Sequence, residues 1–190
     1  MLPLLRESTP PEGHRWWWET LPNPNLLSLH SRLELTHAMS EKYKGSVLPP
    51  DESWLHLLLR IDGIEGVDVL RHHLRLRKQR NLSWEPLLPL LQESLGVRDE
   101  HWLKAPPSEE QEQRQRDFDW PMTPAFPVLE DERPLVFEGV DVASEHSLAR
   151  ELFAFPGLVM IRLSPTKLLC KRALPFSWEE LQPAILPHLS

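Results

Sequence analysis

Apolar positions follow two rhythms along this chain. After the turn signal Pro22-Asn23-Pro24-Asn25, the run Leu26-Leu27-Ser28-Leu29 reads as a short strand. Arg32-Leu33-Glu34-Leu35-Thr36 alternates, as a second strand with one face wet. Residues 39–50 read as a loop. Leu55, Leu58, Leu59 and Ile61 then form a helical stripe over 53–61. Asp51 or Ser53 is placed to cap that helix, and Gly63 sits where a left-handed C-cap belongs. Residues 67–70 and 74–77 alternate on either side of Arg71-His72-His73, the pattern of a hairpin. Ser83 is placed to cap a second helix carrying Leu87, Leu88, Leu90, Leu91 and Leu95. Pro86 falls in its first turn, where a missing N–H costs little; Pro89 lies deeper, where it shortens or bends the helix.

The same order returns in the second half. Val128-Leu129 and Leu135-Val136-Phe137 are its strands, residues 147–155 its helix, and Gly157 the stop. Residues 160–163 and 168–171 flank the turn Ser164-Pro165-Thr166. Ser177 opens the last helix, with Glu180 placed for a capping box. This is an internal repeat. Residues 53–96 lie over 147–190 without a gap, and Ser83-Trp84-Glu85-Pro86-Leu87-Leu88-Pro89 lies over Ser177-Trp178-Glu179-Glu180-Leu181-Gln182-Pro183. Gly63 meets Gly157, Leu74 meets Leu168 and Leu95 meets Leu189. The expected fold class is therefore α+β: two similar ββαββα units, each a small, mostly antiparallel sheet with two helices on one face.

The domain reading follows. Residues 1–15, broken by Pro3, Pro10, Pro11 and Gly13, form an irregular arm. The first domain spans 16–96, a charged linker 97–117, and the second domain 118–190. Trp16-Trp17-Trp18 opens the first domain, as a strand covered on both faces or as an arm over a groove that offers a partner-binding patch.

Composition narrows the function more than it names it. The hydrophobic share of 41% and charged share of 26% are ordinary globular usage. Twenty Pro against seven Gly mean short elements and stiff connections. A net charge of -7 disfavours nucleic acid and acidic membrane as main partners. A single cysteine excludes an internal disulfide framework and a multi-cysteine metal site from one copy of this sequence. No stretch is long enough to span a membrane and the start lacks a secretion signal, so the expected setting is cytoplasmic.

Four motifs, taken in order, resemble the N-terminal domain of the Nfu/NifU-type iron–sulfur scaffold proteins. Leu21-Pro22-Asn23-Pro24-Asn25 is similar to the family's Thr-Pro-Asn-Pro-Asn run before its first strand. Ser147-Leu148-Ala149-Arg150-Glu151-Leu152-Phe153, followed by Gly157-Leu158, looks like its first helix and Gly-Val turn. Ser164-Pro165 resembles its hairpin Gly-Pro. Trp84 to Pro89 and Trp178 to Pro183 resemble the Trp-x-x-Leu-Lys-Pro of its last helix. The likeness covers about 16–96 and 118–190. The Pro-Asn-Pro-Asn run shrinks to Thr123-Pro124-Ala125 in the second copy, and the family's Cys-x-x-Cys does not occur in these residues. The resemblance implies a tandem of the domain that does not hold the cluster: a non-enzymatic interaction module, accessory to or descended from iron–sulfur protein maturation. It would have no cofactor or metal of its own, and other proteins, cluster carriers or client enzymes, as partners.

Candidate chemistry is sparse. Cys170, flanked two positions back by Leu168 on the same strand face, reads as a small buried apolar residue. His72 and His73 point to opposite strand faces and do not form a ligand pair. Arg71, Arg75, Arg77, Lys78 and Arg80 form the only basic concentration in the sequence, and on a strand Arg71, His73, Arg75 and Arg77 share one face. It is either a plain wet face or a docking surface for an acidic segment or nucleic acid. Ser83, Trp84, Pro89, Ser177, Trp178, Pro183, Gly63 and Gly157 are read as structural. No phosphate loop or nucleophile pattern marks an enzyme.

Overall fold

A computed structural model describes residues 13–49, 53–105, 119–122 and 133–189. The chain is of the α+β class, with two sheets and five α-helices among the described residues. It divides into two compact units: Met1–Thr36 with Ser40–Ala105, and Pro106–Ser190 with His37–Met39.

The first unit holds strands β1 (Trp16–Thr20), β2 (Leu26–Ser31), β3 (Glu41–Lys44), β4 (Ile64–Leu70), β5 (His73–Lys78) and β6 (Trp102–Lys104). Helices α1 (Leu55–Leu59) and α2 (Leu87–Ser94) accompany them. The sheet order is β3-β4-β5-β2-β1-β6, antiparallel except for the parallel β1–β6 edge. Leu27, Leu29, Val67, Val69, Leu74 and Leu76 alternate onto one face and pack with Leu55, Leu58, Leu87 and Leu91 of the helices. Trp16 and Trp54 meet edge to face, ring centroids 6.4 Å apart, both fully buried.

The second unit holds β7 (Asp119–Met122), β8 (Leu135–Phe137), β9 (Leu158–Ser164) and β10 (Lys167–Arg172). Its helices are α3 (Val140–Ala143), α4 (Ser147–Phe153) and α5 (Trp178–Ile185). The sheet order is β7-β10-β9-β8. Its core gathers Leu152, Phe153, Leu158, Ile161, Leu163, Leu168, Cys170, Leu181 and Ile185.

Strand register runs in parallel in the two sheets. Tyr43 faces Val67 as Phe137 faces Ile161. Val67 faces Leu76 as Ile161 faces Cys170. Leu29 faces Leu74 as Met122 faces Leu168. Gly63 and Gly157 both take positive φ, 96° and 98°, and each carbonyl accepts from the residue past the hairpin, Gln79 N at 2.8 Å and Ala173 N at 2.7 Å.

Several sequence expectations are corrected. Of the two readings of Trp16-Trp17-Trp18 the strand holds and the arm does not: the triplet opens β1, an inner strand between β2 and β6. Residues 32–36 are not a strand. Leu33 and Leu35 are buried as their alternation implied, but the segment bonds to the β4–β5 turn instead of a ladder: Leu35 N donates to Arg71 O at 2.7 Å. The strand lies instead at 41–44, within the stretch read as a loop. The linker gives up its start: Asp99–His101 is a 3-10 turn and Trp102–Lys104 the strand β6. Most of the arm, Asp51, Val128-Leu129, Thr123-Pro124-Ala125 and residues 106–118 lie outside the described residues.

Ser83 does not cap α2, whereas Ser177 caps α5 through a full capping box with Glu180. The two stretches differ three residues past the serine. Ser177 has Glu180 there, whereas Ser83 has Pro86, which has neither the N–H that a capping serine accepts from nor the carboxylate that answers it. Helix α2 is continuous only from Leu87, and Pro89 is its third residue. Leu88 N already donates to Trp84 O at 2.9 Å, so Pro89, with no N–H to give the Glu85 carbonyl, breaks the ladder at the next step and shortens the helix. Pro183, the sixth residue of α5, does forfeit such a bond, and a 3-10 turn at Leu186–His188 follows directly.

Candidate functional site

Tracing cross-strand partners maps the face of the first sheet that points away from its helices. One row runs Leu70, His73, His30, Trp17, Leu103. The next runs Lys42, Asp68, Arg75, Ser28, Glu19. A third runs Lys44, Gly66, Arg77, Leu26. Period-two alternation puts these side chains together, because the intervening residues are those of the core.

The face has two ends of different character. Toward β1, His30 Nε2 lies 2.8 Å from Glu19 Oε1, and the His30 and His73 rings tilt together with centroids 5.1 Å apart. His73 is half-buried and its pKa is held at about 3, chiefly by burial and then by the neighbouring His30, Arg75 and His72. Toward β3 the face is cationic: Lys42, Lys44 and Arg77 are exposed and Arg75 is half-buried. Among the described residues no ion pair involves Lys42, Lys44, Arg75 or Arg77. The Arg75 Nε–H is buried and meets no acceptor.

Arg71 does not join that strip. It sits in the β4–β5 turn, 4% exposed, with Nε donating to Glu34 Oε1 at 2.7 Å. Burial lowers its pKa, while Glu34 pulls it back up. Beside it His72 is fully buried and donates from Nδ1 to Leu33 O at 2.8 Å. Burial, then the Arg71 charge, pushes its pKa down to about 4. Turn and 32–36 segment thus form one buried polar clasp. Trp16 is fully buried, and Trp18 is half-buried against the same core, with Lys104 Nζ 5.3 Å from its ring centroid. Trp17, also half-buried, is the one member of the triplet on the helix-free face.

The motif residues converge elsewhere. Trp84 Nε1 donates to Pro24 O at 3.0 Å, Asn25 Oδ1 accepts from Lys78 Nζ at 3.3 Å, and Lys78 lies 5.7 Å from the Trp84 ring centroid. Ser83 bonds the Glu85 carboxylate and holds its pKa below the usual value. In the second unit Arg172 takes Lys78's place and donates from Nη1 to the carbonyls of Ala173, Leu174 and Phe176. Cys170 is fully buried in the second core, and burial pushes its pKa up to about 12. Lys42 and Lys44 went unread in the sequence because their strand looked like a loop; only the pairing of β3 with β4 brings them to Arg75 and Arg77.

No protein-family profile matches the chain, and no curated protein does. Two solved structures are similar, both of protein SAV1430 from Staphylococcus aureus. Its crystal structure has 19% identity and a TM-score of 0.35, covering 40% of this chain and 92% of the other. Its solution NMR structure has 15% identity and a TM-score of 0.35, covering 43% and 88%. No helix among the described residues is long and apolar enough to cross a membrane.

Proposed function

We propose that this protein is a non-enzymatic, protein-binding scaffold module built from two copies of a ββαββα unit. In this reading β2, β3, α1, β4, β5 and α2 answer to β7, β8, α4, β9, β10 and α5. The observation that carries it is the doubled framework with a diverged surface. Strand register, the glycine stop and the cation beside the last helix recur, while Arg75 and Arg77 of β5 are replaced by Leu169 and Lys171 on β10. A repeated framework that varies its outward residues suits recognition of partner proteins. The likeness of its motifs to the Nfu/NifU N-terminal domain supports a cytoplasmic role accessory to, or descended from, iron–sulfur protein maturation. Its sole thiol, Cys170, is buried and poorly ionised, which supports a module that holds no cluster itself.

Two measurements test this. Anaerobic incubation of the purified chain with iron and sulfide is expected to leave no bound-cluster absorption, and a stoichiometric chromophore defeats the no-cluster part. In-cell cross-linking followed by mass spectrometry is expected to recover cluster carriers or client enzymes; recovery of unrelated proteins alone defeats the maturation part. A nucleic-acid reading of the 71–80 strand is the alternative, and it predicts binding that falls steeply with salt.

A further inference from the structure

We propose that the cationic corner of the first sheet, Lys42 and Lys44 of β3 with Arg75 and Arg77 of β5, docks an acidic peptide segment of a partner protein. The inference rests on the protein-binding reading and names the surface and the chemistry of the partner. Four cations gather here on a chain whose net charge is -7, and none has an ion-pair partner among the described residues. Four cations against the one Asp68 carboxylate among them leave an excess of positive charge, complementary to a ligand of the other sign.

The backbone shapes the corner. Lys44 and Arg77 both face Gly66 on the strand between them. Two strand spacings separate them, roughly 10 Å. Gly66 puts no side chain in that interval and is itself buried: a Cβ there would lie 3.0 Å from Tyr43 O and 3.3 Å from Lys44 Cβ. The row thus carries two long cationic side chains on either side of a residue that adds neither charge nor bulk, so one carboxylate can be met from both sides. Arg75 lies one row away, its guanidinium fork suited to a second carboxylate. Asp68 stands between Lys42 and Arg75. That carboxylate disfavours a continuous phosphate track, and the acidic chain as a whole repels a polyanion. A short segment with spaced carboxylates avoids both penalties. The equivalent corner of the second sheet lacks this set, since β8 is Leu135-Val136-Phe137 and Leu169 stands where Arg75 does.

The full chain is titrated at low salt with a fluorescein-labelled peptide of alternating Glu and Ser, its Gln counterpart, and a single-stranded oligodeoxynucleotide of equal charge. The Glu peptide is expected to bind, the Gln peptide not, and the oligonucleotide more weakly. Lys44→Glu with Arg77→Glu, both exposed, is expected to keep the thermal melt and to weaken peptide binding about tenfold or more. The charge-conserving pair Lys44→Arg with Arg77→Lys is expected to retain binding. No Glu-peptide binding at low salt, unchanged binding by the double reversal, or tighter binding of the oligonucleotide overturns the proposal. If the double reversal leaves peptide binding intact while cross-linked protein partners are still recovered, this surface is wrong and the scaffold reading stands.

Discussion

The indole of Trp84 reaches across the first unit to Pro24: its Nε1–H donates to that backbone carbonyl over 3.0 Å. The bond ties the entrance of α2 to the Pro-Asn-Pro-Asn turn that launches β2, two segments far apart in sequence. Lys78 closes the cluster from below, bonded to Asn25 and stacked near the indole. The motif that stands out in the sequence is therefore a fastening of the fold.

Trp84→Phe keeps the buried ring and loses the hydrogen bond, so it is expected to cost about 1 kcal/mol. Trp84→Ala also empties a site that is 7% exposed and is expected to cost about 3–5 kcal/mol. Urea denaturation of both variants measures the difference. Equal stability of the alanine variant would show the indole to be dispensable.

Gly63 and Gly157 occupy the left-handed region, and a Cβ on either would meet a neighbour. At Gly63 it would lie 2.2 Å from Leu82 Cδ1, the movable tip of an aliphatic chain; at Gly157, 2.6 Å from Phe176 Cγ, in a stiff ring. Both alanine variants bear the backbone cost of about 1–2 kcal/mol. Gly157→Ala should lose more, because its neighbour has less freedom to move aside. Relative melting temperatures of the two variants decide the order.

The neighbouring imidazoles of His72 and His73 set an acid limb. His72 and His73 have folded pKa values of about 4 and about 3, below the ordinary 6.5. As pH falls the unfolded chain takes up their protons first. The stability they confer as neutral groups is complete above about pH 6.5 and is lost toward pH 4 and then pH 3. The His72 share is on the order of 3 kcal/mol. His72→Asn retains a donor for Leu33 O and removes the titration, so its stability is expected to fall less between pH 6.5 and 4. Identical pH slopes for variant and parent would contradict this.

Cys170 lies in the second core with its pKa pushed up to about 12 by burial. Native protein at neutral pH is expected to react with a thiol reagent only as fast as the second unit opens, and immediately in denaturant. Rapid reaction in the folded state would place the thiol at an accessible surface and revive a ligand role for it.

Local pattern alone made several features legible. The hairpin around residues 71–73, the glycine stops at Gly63 and Gly157 and the capping box at Ser177 depend on neighbours within a few positions. Their physics is complete in the sequence. The Ser-Trp-Glu stretches at 83–85 and 177–179 look alike, so the sequence points to a helix entrance at both. That likeness misled only at Pro86, where one missing N–H abolishes the cap.

Tertiary structure decided what depends on partners distant in the chain. The alternation of Leu33 and Leu35 truly buries both, but alternation cannot say whether the buried segment joins a ladder or a turn; the clasp of Arg71 and His72 chose the turn. The same clasp took Arg71 from the basic strip, because Glu34 offered a buried countercharge that spacing does not reveal. Four residues of β3, too short and charged to register as a strand, became one by pairing with β4. That pairing supplied Lys42 and Lys44 to the corner with Arg75 and Arg77. A strand's period fixes which side chains share a face, and only the order of strands in the sheet fixes which faces share a site.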